Sequence, residues 1–135
     1  DNIWSQYDFS GYLQTEFSSK FPDSKDIFKD IIATQIKHQV KCSVQSVQDQ
    51  IENRKNTFEF IGYDFMVDEN LKVWLIEVNS SPSMCAKNQP ILKELVKNVQ
   101  TDLAKVVCNT YSNNKKSTGG FEIVHRARHE VQRPK

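Results

Sequence analysis

Glycine and proline are scarce, with four of each in 135 residues. So few glycines leave no phosphate-cradling loop of backbone N–H groups. The three cysteines, Cys42, Cys85 and Cys108, lie far apart and form no CxxC or zinc spacing. That odd, sparse set excludes a disulfide scaffold and fits a reducing compartment. No apolar run approaches the ~20 residues that span a bilayer, and no charged-then-apolar leader opens the chain. A soluble intracellular protein is therefore expected, with no membrane partner. Net charge is only +1, too little for the field of a nucleic-acid binder. No Cys–His or Ser–His–Asp signal marks a side-chain nucleophile. The chain begins with Asp1 rather than Met, which reads as a piece of something longer.

What is present is clear amphipathic patterning, in a chain long enough for one modest domain with a core. Phe9, Tyr12, Leu13 and Phe17 predict a short helix over 8–17. Pro22, followed by Asp23 and Ser24, marks a break and a cap. From Asp26 to about Gln50, Ile27, Ile31, Ile32, Ile36, Val40, Val44 and Val47 keep helical spacing. They predict one long helix whose other face (Lys29, Asp30, Lys37, Lys41, Gln45) meets solvent. Residues 57–68 and 73–79 are rich in strand formers. Pro90 opens a further helix, with Ile91, Leu95, Val99 and Leu103 on its stripe, ending near Asn109. Residues 112–120 read as a loop and "FEIV" (121–124) as a last short strand. Residues 125–135 form a basic tail with Arg126, Arg128, Arg133 and Lys135.

The informative stretch is "FEFIGYDFMVDENLKVWLIEVNSSPSM", residues 58–84. Asp64 sits inside the first strand, and Glu77 and Asn79 close the second. Alternation puts Gly62, Asp64, Met66 and Asp68 on one face, and Val73, Leu75, Glu77 and Asn79 on one face. With a four-residue loop, Glu69–Lys72, Asp68 meets Val73 and Asp64 meets Glu77, while Gly62 meets Asn79. A two-residue loop keeps this parity and a three-residue loop breaks it. Like charges across a sheet repel, and neighbouring carboxylates force one to take up a proton, unless a cation lies between them. An all-oxygen donor set suits Mg²⁺, and Gly62 would leave room for a ligand above the sheet. The competing reading is that these carboxylates simply face solvent. Against it, their neighbours are too apolar for a freely exposed face. Ser80, Ser81 and Ser83 are placed to bond either a substrate or their own backbone.

These residues resemble the tubulin–tyrosine ligase-like family. The shared pattern is Gly-x-Asp-Phe, a turn, then Trp-Leu-Ile-Glu-Val-Asn and a Ser-Pro pair. "DNIWS", "ENRKNTFE", "VQTDLAKVV" and "TGGFEIVHR" extend the likeness toward the branch that attaches glycine to tubulin. The resemblance implies an α+β fold, the C-terminal portion of an ATP-grasp domain over residues 1–124, with an antiparallel sheet and packed helices. It implies Mg²⁺ and ATP as cofactors, with Asp64 and Glu77 on one ion and Glu77 and Asn79 on the other. It implies ligation of free glycine to glutamate side chains of the acidic tubulin tails through an acyl phosphate, in the cytoplasm, cytoskeleton and cilium. "CAKNQP" (85–90) is more like tyrosine ligase, which keeps glutamate or tyrosine open as the amino acid added. A non-catalytic tubulin-binding remnant is also open, though the intact trio argues against it. An unrelated Mg²⁺ hydrolase or nuclease would need a general base and a basic groove, and neither is apparent. With no nucleotide-covering lobe in the sequence, the chain alone is expected to be inactive. Lys87, Lys93, Arg126, Arg128 and Arg133 are candidates to steer an acidic acceptor, against the plainer reading of a solvated basic tail. His125 and His129 have chelate spacing but no evident third ligand.

Overall fold

The computed structural model describes residues 3–51, 54, 57–86, 89–108 and 117–127, and for 109–112 the backbone only. The chain divides into two compact units, one built on the residues up to Pro82 and the other Ser83–Arg126.

In the first unit, α1 (Gln6–Phe17) starts at a capping box: the Ser5 side chain accepts from the Asp8 N–H, and the Asp8 side chain accepts from the Ser5 N–H. The long helix opens at Asp26 as expected, but its cap is Asp26 rather than Asp23 or Ser24, the Asp26 carboxylate accepting from the Lys29 N–H at 3.0 Å. It is not one uniform α-helix. A π-helical segment, Phe28–Ala33, precedes α2 (Thr34–Val47), and a 3₁₀ turn, Gln48–Gln50, ends it. The wider π turn brings residues five apart onto one face. Ile27 and Ile32, five apart, are both fully buried.

The strands are β1 (Gly62–Val67) and β2 (Val73–Asn79), an antiparallel pair. β1 is shorter than the predicted 57–68. Its pairing ends where Gly62 meets Asn79, the last residue of β2. Leu71 and Val73 from the hairpin join Leu13, Ile27 and Ile32 as the core, with Phe9, Phe28, Ile36 and Phe65 packed around them. Each such side chain contributes about 1.5–3 kcal/mol by burial.

In the second unit, α3 (Pro90–Ser112) starts at the predicted proline. The Asp102 carboxylate accepts from the Gly120 N–H at 2.8 Å. Gly119 has φ +66, and a Cβ there would meet that same carboxylate, so this turn needs glycine. "FEIV" forms no strand: the sheet among the described residues holds β1 and β2 alone. No helix among the described residues is long and apolar enough to cross a membrane.

Candidate metal centre

The hairpin's faces are set by its turn. Leu71 N–H donates to Asp68 O at 2.9 Å, and Asp68 N–H donates to Lys72 O at 3.0 Å. The loop is therefore three residues, Glu69–Asn70–Leu71, closed by Leu71 at φ 61. A left-handed residue at the third loop position is a common way to close a three-residue hairpin loop. The Asp68 side chain braces it, accepting from the N–H groups of Asn70 and Lys72 and from the Trp74 indole.

A three-residue loop alone would carry Glu77 to the wrong face. Val67 pairs with Val73, not Asp68 with Val73 as the four-residue loop required. A β-bulge then intervenes: Phe65 pairs with Leu75 while Asp64 pairs with Glu77, leaving Ile76 as the extra residue. A bulge adds one residue to one strand and re-aims the side chains beyond it. Val73 and Leu75 consequently do not share a face with Glu77 and Asn79. Val73 is buried and Leu75 half-buried, while Asp64, Trp74 and Glu77 are exposed.

The expected juxtaposition of Asp64 with Glu77, and of Gly62 with Asn79, is present. The Asn79 amide nitrogen donates to Asp64 Oδ2 at 3.2 Å and to Glu77 Oε1 at 3.0 Å. Among the described residues neither carboxylate has a Lys or Arg partner. The amide's N–H end thus lies between the two carboxylates. No three His, Cys, Asp or Glu side chains cluster among the described residues.

The space over Gly62 is not open. A Cβ there would lie 2.9 Å from Pro82 Cβ, so the glycine admits the Ser-Pro segment rather than a ligand. Lys93 and Arg126 are exposed. Lys87, Arg128, Arg133, Lys135 and His129 lie outside the described residues, so the steering and chelate expectations are only partly visible.

The pattern of the Tubulin-tyrosine ligase family matches residues 1–118. The chain belongs to the tubulin-tyrosine ligase family. Among its relatives in that family, Tubulin glycylase 3B of Tetrahymena thermophila is 40% identical over 141 residues, covering all of this chain and 11% of that protein. Tubulin monoglycylase TTLL3 of Mus musculus is 32% identical, covering 93% of this chain and 13% of that protein. Protein monoglycylase TTLL8 of Mus musculus is 34% identical, with 93% and 14% covered. The chain therefore spans between a ninth and a seventh of these relatives. No solved structure matches it.

Three polar residues of this ligase-family chain that the motif does not mark support the hairpin from α2. Gln35 Nε2 donates to Leu71 O at 2.8 Å, and Gln35 Oε1 accepts from the Val73 N–H at 3.1 Å. Gln39 Nε2 donates to Val73 O. One helical turn on, Ser43 Oγ meets the Tyr63 hydroxyl at 3.3 Å. Each of the three stands one place before a stripe residue, Ile36, Val40 or Val44. That offset was the available signal for a polar edge beside the apolar face.

Proposed function

We propose that this chain is the metal-holding portion of an ATP-dependent ligase that joins glycine to glutamate side chains of tubulin tails. One observation carries the reading: Asp64 faces Glu77 across the hairpin, with the Asn79 amide bonded to both. Two carboxylates at one place, with the Asn79 amide able to turn its Oδ1 inward, suit a hard cation such as Mg²⁺. Asp64 and Glu77 would hold one ion, and Glu77 and Asn79 a second. Bound there, Mg²⁺ would neutralise phosphate charge and align ATP with the acceptor.

In the reaction proposed, the acceptor glutamate takes the γ-phosphoryl group of ATP, leaving ADP and an acyl phosphate. The glycine amine then attacks that carbonyl, phosphate leaves, and an isopeptide bond forms. Both steps need positioning more than a protein nucleophile. The chain's own contribution is a rigid two-strand platform whose outer face presents the ligands. Glycine as the amino acid is supported by relatives named tubulin glycylase and monoglycylase. A tubulin substrate puts the work at the cytoskeleton, in cytoplasm and cilium.

The test is mass spectrometry of tubulin incubated with ATP, the longer ligase carrying this chain, and glycine, glutamate or tyrosine in turn. With glycine alone, a covalent adduct of about 57 Da, one glycine residue, is expected. Glu77→Gln should abolish it, and a product unchanged by that substitution would sink the reading. The 135-residue chain by itself should form no product.

A further inference from the structure

We propose that Gln35 and Gln39 are positioning residues that set the register of β2, and with it which side chains share the face of Asp64 and Glu77. The proposal deepens the metal-site reading and, for its metal readout, rests on it.

Val73 turns its N–H and C=O away from β1, toward α2, where both are taken by glutamine amides. Leu71 O is taken by Gln35 as well. Gln35 Nε2 also donates to Ile31 O at 3.2 Å, which anchors the amide to its own helix. The spacing explains why a helix can serve as a strand here. Four helical residues rise about 6 Å, and two strand residues advance about 6.7 Å. Glutamines at i and i+4 therefore meet successive outward-facing groups on one strand edge.

The register so held is locally unfavourable. It demands a left-handed leucine at 71 and a bulge at Ile76. A simpler hairpin is available, the regular pairing with a four-residue loop. It needs no bulge and would still set Asp64 opposite Glu77. It would, however, move β2 by one residue near the turn, bringing Val73 out of the core and turning Trp74 inward. The clamp and the burial of Leu71 and Val73 oppose that slip. What the bulged register gains on the outer face is Trp74, opposite Met66 and two pairs along from the carboxylates. The indole is fixed there by its N–H to Asp68 and by Lys72 Nζ, 3.8 Å from the ring centroid. The clamp thus places an aromatic side chain, rather than Leu75, opposite Met66 and beside the acidic pair.

The experiment uses the 135-residue chain, with Gln35→Leu/Gln39→Leu and the milder single variant Gln39→Met. Two readouts are taken under conditions where each protein is folded by near-ultraviolet circular dichroism. The first is the cross-strand Hα–Hα contact by NMR, strong between Val67 and Val73 in the parent because they form a non-hydrogen-bonded pair. The clamp predicts its loss, or weakening with a new Val67–Trp74 contact, in the variants. The second is Tb³⁺ luminescence sensitised through tryptophan in a Trp4→Phe background, so that Trp74 is the donor. It should be present in the parent, absent in Asp64→Asn, and reduced in the clamp variants.

Unchanged Val67–Val73 contacts in folded Gln39→Met and in the double variant would overturn the proposal. If the double variant does not fold, Gln39→Met decides. If the parent binds no Tb³⁺, the metal reading fails, and the NMR contact still decides the clamp independently.

Discussion

Asp64 and Glu77 oppose each other across the hairpin, and the Asn79 amide nitrogen bonds both. Directly opposed carboxylates cost a sheet a few tenths to about 1 kcal/mol. Asp64→Asn should therefore leave the metal-free chain as stable or slightly more stable, while removing any stabilisation by Mg²⁺ or Mn²⁺. Thermal melts with and without the cation check this. A parent protein indifferent to both cations would count against the site.

The meeting of Asp64, Glu77 and Asn79 was legible because strand alternation fixes which residues can face one another across a hairpin. The stripe of Ile27, Ile32 and Ile36 was legible for the same reason, since burial imposes a period. The turn was not. "DENLK" contains no glycine, so nothing announced that Leu71 would take the left-handed position. A bulge also leaves no local signature, because Ile76 is as good a strand residue as its neighbours. Two departures from parity, a three-residue loop and one extra residue, cancel by the time the strand reaches Glu77. The expected pairing of the carboxylates therefore held, although the loop length assumed for it did not. "FEIV" has strand composition, but composition cannot supply the partner that a strand requires.

Leu71 combines a left-handed backbone with a fully buried side chain. The conformation costs about 1–2 kcal/mol for a non-glycine residue, and burial returns about 1.5–3 kcal/mol. Leu71→Ala loses the burial and keeps the backbone cost. Leu71→Gly loses the burial and sheds the cost. Both should destabilise, with alanine worse than glycine by roughly 1 kcal/mol, the reverse of the order found in a regular strand. Urea denaturation of the two variants decides it. Equal or inverted losses would mean that the left-handed turn is not held in solution.

Asp68 links the turn to Trp74. Its carboxyl is held below the usual range, first by the Trp74 indole N–H and then by the Lys72 backbone N–H, against an opposing effect of burial. A carboxyl depressed in the folded state adds stability above its unfolded value, about 3.9, and that contribution is lost as pH falls through the folded value. The loss should therefore fall in acid, below about pH 4, and not near neutrality. In a Trp4→Phe background, the emission of Trp74 should shift over that window. Asp68→Asn should remove the transition. A shift centred near neutral pH, or one that survives the substitution, would exclude Asp68 as its source.

Gly62 separates two accounts of the hairpin's open end. If the glycine cleared space for a bound ligand, Gly62→Ala would weaken cation and nucleotide binding and leave stability nearly unchanged. The structure instead puts Pro82 Cβ 2.9 Å from where the new methyl would stand. An overpacked contact of this kind costs about 1–3 kcal/mol, and a proline ring with fixed φ has little freedom to give way. Gly62→Ala should therefore lower the unfolding free energy, read from urea denaturation, by that order. Pro82→Gly, which removes the opposing carbon, should be costly alone yet make the second substitution nearly neutral. The coupling in that double-mutant cycle is the measurement. Additive losses would show that the alanine meets something other than Pro82.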